Sequence, residues 1–412
     1  MKILHLSTSD ISGGAARAAY RLHQGLVENG VHSRMFVQTK YSNDHLVTGS
    51  DTHTKEISAK LKYLVDSMPA IFSRRSRGAT FSPAIFPDRI AHHAATISPD
   101  IVHLHWIAGG FMRIETLYQL SRPIVWTLHD MWPFTGGCHY SGECSRFTCS
   151  CGCCHELRST IENDLSRRIW QRKFKSWQKL PITVVAPSRW MAECAAKSSL
   201  FSDVTIKIIP NAINTMLFHP GDRLIARKIL GLPLDRDLIL FGAMSPTSDP
   251  RKGFQHLLPA IKELANNGWG ERAELLVYGE SLSVKMPDFG MKLRSMGRVS
   301  DDVLVLLNVA ADVFVAPSRQ DNLPNTVMES LACATPVVAF NIGGMPDMIE
   351  HKKNGWLATP FNANELAQGI AFVLSDRERH TSLSNCARLK VEQTYSKEIV
   401  AAKYMSLYQE LI

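Results

Sequence analysis

The chain has no apolar run approaching the roughly 18–20 residues that a membrane span needs. Its best candidate, VLVLLNVAADVFVAP, is interrupted by Asn308 and Asp312. The opening MKILHLSTSD is too short for a signal peptide and reads as a first strand, which places the protein in the cytosol. Low-complexity tracts and short-period repeats are missing, so neither a disordered tail nor a repeat array is in view. Aromatics make up 8% of the residues and do not interleave with a basic stripe, so no nucleic-acid module is expected. The first strand is not followed by G-x-G-x-x-G, and no acidic residue ends the second strand candidate, SRMFVQTK. A dinucleotide fingerprint is therefore poorly supported.

What is present suits a two-domain globular protein. At 412 residues the chain is too long for one ordinary core, and 45% hydrophobic with 20% charged residues is ordinary for a folded chain. The net charge of +8 favours a phosphorylated ligand, an anionic membrane surface or nucleic acid. Its one local cluster, SRRSRGATF (Ser73 to Phe81), lies beside the apolar LKYLVDSMPAIF. That combination reads either as a solvated basic face or as a peripheral contact with an anionic inner membrane surface.

Strand signals alternate with helix signals throughout, which implies α/β architecture with parallel sheets covered on both faces. KILHLS, SRMFVQT, DIVHLHW, PIVWTLHD and ITVVAPS are strands of the first half; DLILFGAM, AELLVYGE, ADVFVAPS and TPVVAFN are strands of the second. The small, polar AAKSSLFSD suggests a boundary near 195–210, giving domains at 1–200 and 201–390. The amphipathic end, 391–412, is expected to pack back on the first domain. Two doubly wound halves place a cleft at the carboxyl ends of their strands, the usual ligand position in such sheets.

Several loops at those strand ends carry chemistry. Gly13 and Gly14 sit at the mouth of the first helix, either as a plain tight turn or to let backbone amides approach a phosphate or sugar. Strand alternation puts His103 and His105 on one face, and a neighbouring strand ends in His129 and Asp130. In the second half Gly242 ends a strand. Arg251 and Lys252 then stand beside Gly253 at a helix start, where a cation pair can hold a diphosphate. The loop RQDNLPN supplies Asp321 as an acceptor for sugar hydroxyls, with the amides of Asn322, Leu323 and Asn325 turned to a ligand and Pro324 restricting the backbone. Glu329, near the next helix start, is suited to a ribose diol, because a carboxylate accepts from two vicinal hydroxyls.

The run from ADVFVAPS through the Pro324-Asn325 loop, Glu329, ACATPVV and NIGGMPDMIE…NGWL resembles the donor domain of family-4 retaining glycosyltransferases. IIPNAINTMLFHP resembles that family's domain-junction segment, and FGAM…RKG its diphosphate loop. The resemblance implies the GT-B fold: two Rossmann-like domains facing a central cleft. It also implies a nucleoside diphosphate sugar as donor, with Arg251 or Lys252 neutralising the diphosphate, Glu329 on the ribose, and Asp321 with the amides after it on the transferred sugar. His105 matches the histidine placed near that sugar, and Gly13-Gly14 match the amino-terminal glycine loop. The implied catalytic set is His105, Arg251, Lys252 and Asp321, with His129 and Asp130 on the acceptor side. No D-x-D pattern holds a catalytic metal, so no cofactor for catalysis is expected. Departures are Asp321 where the family has glutamate, Ala243 where it has arginine, and Ala334 and Ala212 where glycine is usual.

Six of the nine cysteines fall between Cys138 and Cys154. Cys138, Cys144, Cys151 and Cys154 supply four thiolates ending in a C-x-x-C step, the pattern of a structural zinc. An incidental reduced cluster and redox or iron–sulfur chemistry are the alternatives, and Cys149, Cys153, His139 and His155 are further donors nearby. The preceding WTLHDMWPFTGGC is similar to a subgroup of transferases related to the colanic acid enzymes. This implies a saccharide or lipid-linked oligosaccharide acceptor in surface polysaccharide assembly. A nucleotide-sugar epimerase and a zinc-braced scaffold without activity are the competing readings.

Overall fold

The structure is a computed structural model that describes residues 1–50, 53–73, 80–244, 246, 248–279 and 287–412. Most of the basic cluster Ser73 to Phe81 lies outside the described residues. The chain divides into two compact units, Met1–Ala212 with Val400–Ile412, and Ile213–Ile399.

The first unit is built on β1 (Lys2–Ser9), β2 (His32–Thr39), β3 (Val47–Ser50), β4 (Ile101–Leu104), β5 (Ile124–Thr127), β6 (Ile182–Ala186) and β7 (Thr205–Ile208). They form one sheet in the order β3-β2-β1-β4-β5-β6-β7, every pair parallel. Its helices are α1 (Gly14–Glu28), α2 (His53–Phe72), α3 (Ile90–Ile97), α4 (Leu165–Trp177) and α5 (Arg189–Lys197). The central strands β4, β5 and β6 are buried at every position, as parallel strands covered on both faces must be. β7, at the sheet edge, is largely exposed.

The second unit contains β8 (Asp237–Gly242), β9 (Ala273–Tyr278), β10 (Lys292–Gly297), β11 (Val313–Ala316), β12 (Val337–Phe340) and β13 (Gly355–Ala358). Their order, β10-β9-β8-β11-β12-β13, is again all parallel. The helices are α6 (Arg223–Leu230), α7 (Phe254–Leu264), α8 (Asp301–Ala310), α9 (Asn325–Ala332), α10 (Met345–Met348), α11 (Ala363–Leu374) and α12 (Arg377–Thr394). The last helix, α13 (Lys397–Gln409), contributes Val400, Ala401, Tyr404 and Tyr408 to a core cluster with Ile3, Leu22, Val125 and Val185 of the first unit.

Both sheets reverse direction at one point, between β1 and β4 in the first unit and between β8 and β11 in the second. At such a switch point the loops leaving the two strands diverge to opposite faces and open a crevice at the strand ends, where ligands of doubly wound sheets bind. Most of the chemistry-bearing loops read from the sequence leave these four strands or begin the helices beside them, whereas His129, Asp130 and the cysteine segment follow β5.

Candidate functional site

In the second unit, the loop after β8 ends in a short turn, Pro250–Lys252, followed by Gly253 and α7. Gly253 has φ +75°, and a Cβ there would lie 1.7 Å from the Pro317 carbonyl oxygen. Only glycine lets this turn press against the loop leaving β11. The Arg319 amide donates to the Arg251 carbonyl at 2.7 Å, and this fixes the two loops together.

That contact brings Lys252 to Asp321. The Lys252 Nζ donates to Asp321 Oδ2 at 2.7 Å, while the Ser318 hydroxyl donates to the same oxygen at 3.3 Å and the Asn322 amide to Oδ1 at 3.2 Å. Arg251 turns to its own neighbour: Nε and Nη2 donate to the two carboxylate oxygens of Asp249 at 3.2 and 2.7 Å. Lys252 thus reaches the β11 loop. A third loop closes on the same spot, because Gly343 has φ +52° with the Asp321 carbonyl where a Cβ would be, and the Gly344 amide donates to that carbonyl at 3.1 Å.

Asp321, Asn322 and Glu329 are all buried. Leu323 is also buried and belongs to the apolar core, so its side chain anchors the loop. Pro324 caps α9 and Gly253 caps α7, neither with a side-chain hydrogen bond, and Asn325 is the first residue of α9. By contrast α4, α5, α6, α11 and α12 are capped by Asp164, Ser188, Asp222, Asn362 and Asp376 side chains. The helix ends at the switch point thus keep a positive backbone potential that suits an anion. Gly242 has a packing duty: a Cβ there would sit 2.2 Å from the Tyr278 ring.

In the first unit, Gly13 caps α1 at φ +99° with no side-chain cap bond, and Gly14 is the first helical residue. The loop before them is organised by Asp10, a residue that sequence reasoning passed over. Its buried carboxylate accepts from the amides of Ile11 at 2.9 Å, Tyr41 at 3.0 Å and Ser42 at 2.8 Å. An aspartate one residue past a strand and just before a glycine pair was the available signal.

His103 and His105 do lie on one face of β4 and its extension, their ring centroids 4.2 Å apart. His105 is buried, with Nε2 2.9 Å from His5 Nδ1 and Nδ1 3.1 Å from His129 Nε2. His129 is half-buried. Burial pushes His129 down to about 4 and holds His5, His103 and His105 well below the ordinary histidine range, so all four are neutral at pH 7. Asp130 is spent on the protein itself, accepting from Trp106 Nε1 at 2.7 Å and the Trp132 amide at 2.9 Å and facing His139 Nδ1 at 2.6 Å. Burial raises its carboxyl, but His139 and these hydrogen bonds outweigh burial and hold it below the usual range.

The cysteine segment belongs to the same unit, and its cysteines are free thiols. Burial pushes the Cys138 thiol well up and Cys154 up to about 11, and Cys144, Cys151 and Cys154 each add to the rise of a neighbour in the set. Cys151, Gly152 and Cys153 all have positive φ, and the Gly136 amide donates to Cys151 Sγ at 3.1 Å. Lys173 is buried close by, donating to the Trp132 and Thr135 carbonyls, the latter at 3.0 Å. Among the described residues the donors that converge within 4.8 Å are His5, His103 and His105; the cysteine sulfurs do not form such a set.

Residues 12–217, half of the chain, match the family described as Glycosyltransferase Family 4. The chain belongs to that family. Residues 235–376 match a second description, Glycosyl transferases group 1. An uncharacterized glycosyltransferase of Methanocaldococcus jannaschii is 29% identical over 328 residues, 75% of each chain. The putative colanic acid biosynthesis glycosyltransferase WcaL of Escherichia coli is 29% identical over 182 residues, 39% of this chain and 43% of that one. Among solved structures, sucrose-phosphate synthase from Thermosynechococcus elongatus superposes with a TM-score of 0.72 at 19% identity, covering 100% of this chain and 99% of that one. Anabaena HepE in complex with UDP-glucose superposes at 0.67 and 16%, covering 100% of both. With two parallel α/β units and these neighbours, this glycosyltransferase has the GT-B fold. No helix among the described residues is long and apolar enough to cross a membrane.

Proposed function

We propose that this glycosyltransferase moves a hexosyl group from a nucleoside diphosphate sugar to a hydroxyl of a saccharide acceptor, with the anomeric configuration retained. The observation that carries the reading is the Lys252–Asp321 contact at the switch point of the second sheet, between the uncapped ends of α7 and α9. A diphosphate placed there meets a cation and two helix amino termini, while a buried carboxylate stands ready for sugar hydroxyls. Glu329 takes the ribose diol and Asp321 exchanges its bond to Lys252 for the transferred sugar. Lys252 then stabilises the charge that develops on the leaving diphosphate, with Arg251 in support. No protein nucleophile is assigned: the acceptor hydroxyl attacks from the face the leaving group departs, and the departing phosphate takes its proton. The UDP-glucose bound by Anabaena HepE and the name of the WcaL relative support the donor class and a lipid-linked acceptor in surface polysaccharide assembly. The test is to incubate the protein with a panel of nucleoside diphosphate sugars and measure nucleoside diphosphate released with and without lipid-linked saccharides. Acceptor-dependent release supports transfer, and conversion of donor alone to an isomer would replace it with epimerisation.

Cys138, Cys144, Cys151 and Cys154 are assigned a structural zinc. The donor set suits the ion chemically, with four soft sulfurs, an amide donating to one of them and a buried ammonium beside the cluster to offset thiolate charge, and holding the ion would draw together sulfurs that do not converge within 4.8 Å here. With four protein ligands the zinc would brace the loop and take no part in transfer. The apolar residues exposed on α2, among them Leu61, Leu64, Met68 and Phe72, are assigned to peripheral contact with an anionic membrane surface. Co-sedimentation with anionic but not neutral vesicles checks this, and equal binding to neither removes it.

A further inference from the structure

The turn between β13 and α11 carries an unusual residue for its backbone. It is closed by the Asn362 amide, which donates to the Thr359 carbonyl at 3.1 Å, with Pro360 second and Phe361 third in the turn. Phe361 has φ +66°. Proline followed by a positive φ is the pattern of a type II turn, whose third position normally takes glycine or asparagine. For a bulky aromatic residue that conformation is an outlier, and such strain persists only where the surroundings fix it, often at ligand clamps. Burial of the ring does not explain it, because Phe361 is 45% exposed.

Side chains from three other strand ends hold the ring. His256, in the first turn of α7, stacks on it with centroids 5.3 Å apart and 24° between the planes. Buried Phe340, the last residue of β12, meets it edge-on at 5.9 Å and 70°. The guanidinium of Arg319, in the loop after β11, lies 5.7 Å from the Phe361 centroid, within cation–π range. Arg319 is exposed, and no carboxylate among the described residues pairs with it. Burial and then the Arg319 charge lower the His256 pKa, so the stacked imidazole is neutral at pH 7. Alternate strand residues face opposite sides of the sheet. Leu240 and Ala339 share a core with α9, whereas Phe241 and Phe340 share one with α7 and α11. Glu329 on α9 therefore belongs to one side and Phe361 to the other, with the Lys252–Asp321 contact at the switch point. A donor with its ribose on Glu329 and its diphosphate at Lys252 turns its sugar end toward Phe361.

We propose that Phe361 and Arg319 form a subsite for a sugar residue that carries a carboxylate. The hydrogen-bearing face of the pyranose lies on the exposed surface of the Phe361 ring, whose negative face attracts it, and the carboxylate pairs with the Arg319 guanidinium. A neutral sugar keeps the stacking and loses the ion pair. A nucleobase also stacks, but it follows the ribose to the α9 side. The acidic sugar belongs either to the donor or to the acceptor, and both present the same chemistry. The existence of the subsite stands on the strained, exposed ring and the unpaired guanidinium; its place along a donor rests on the transfer reading above.

The test is saturation-transfer NMR titration of the full-length protein with methyl glucuronide and with methyl glucoside. The glucuronide is expected to bind about 2–5-fold more tightly than the glucoside, the worth of an exposed ion pair. Arg319→Gln is expected to make the two sugars equal, and Phe361→Asn to abolish transfer to both. Asparagine tolerates the left-handed backbone, so Phe361→Asn is expected to melt at or above the wild-type temperature. A Phe361→Asn protein that melts well below wild type would make the ring a packing residue and overturn the argument from strain. No glucuronide signal in the wild type, equal binding of the two sugars, or binding unchanged in both variants overturns the subsite. These titrations need no nucleotide, so they stand if the transfer reading fails. Repeating them with saturating UDP-glucuronic acid or UDP identifies the source of the sugar. Glucuronide displaced by UDP-glucuronic acid but not by UDP supports a donor sugar on Phe361, and glucuronide retained beside both supports an acceptor sugar. Failure of both nucleotides to bind would count against the transfer reading alone.

Discussion

Replacing Lys252 with alanine separates what this residue does for the fold from what it does for chemistry. In the structure its ammonium is 2.7 Å from Asp321 Oδ2, with side-chain exposures of 26% for the lysine and 10% for the aspartate. A charge-assisted hydrogen bond nets about 1.5–3 kcal/mol, and solvent screening of a quarter-exposed lysine moves the value to about 1–2 kcal/mol. Asp321 is not abandoned by the change, since the Ser318 hydroxyl and Asn322 amide still donate to it. For a unit the size of Ile213–Ile399, each kcal/mol moves Tm by about 2–4 °C, so the variant is expected to melt about 2–8 °C lower and to be fully folded at 25 °C. The chemical loss is much larger: removing one preorganised stabiliser of developing charge costs about 10²–10³ in rate. Lys252→Arg keeps the charge and is expected to fall between. The assay is release of nucleoside diphosphate, read beside circular dichroism melts of the same samples. A folded Lys252→Ala protein that turns over within about threefold of wild type, less than 1 kcal/mol of transition-state stabilisation, would refute the assignment.

Ala334 has φ +61° where the family resemblance expects glycine. Relieving about 1–2 kcal/mol of left-handed strain, less about 0.4–1 kcal/mol of added chain entropy, Ala334→Gly should raise Tm by about 1–3 °C in a melt. Acid should destabilise the first unit before its carboxylates titrate. His23 and His129 have folded pKa values lowered to about 4, and burial holds His5, His103 and His105 well below the ordinary histidine range. A lowered histidine pKa means the unfolded chain binds the extra protons, so stability is present above the unfolded value of about 6.5 and is lost as pH falls toward the folded value, by about 1.4 kcal/mol per pH unit for each histidine. Urea titrations at pH 7.5 and 5.5 check the sign, and a protein equally stable at both contradicts the buried neutral cluster. Purified protein should carry about one zinc per chain, and chelation or Cys138→Ser should lower Tm by several degrees. Metal-free protein whose melt ignores chelator would remove the zinc.

The central strands were legible because burial on both faces writes them as mostly apolar runs, as in IVHL, IVWT and VFVA. The edge strands were not. β7 reads TIKI and is mostly exposed, and β10 reads KLRSMG, with Lys292 and Arg294 set around the buried Glu274 of β9, so neither has a strand's hydrophobic signature. At the candidate site, residue types and loops were readable, but pairings were not. Nothing local to Lys252 announces that it reaches Asp321, because the meeting depends on Gly253 letting two loops touch. The same holds for His5. A single histidine in a first strand looks like a core residue until register sets it beside His103, and α13 returns Tyr408 to the same face. Asp249, by contrast, was two residues from Arg251 and its grip on that side chain was within reach of the sequence.

The most direct test of the donor site is metal-free calorimetric titration of the purified protein with UDP, GDP and ADP, repeated on Lys252→Ala and Glu329→Ala. Binding of one diphosphate in the wild type, weakened in both variants, is the predicted result, and it also identifies the base. Wild-type protein that binds none of the three, or variants that bind as tightly as wild type, would contradict a diphosphate site at the switch point of the second sheet.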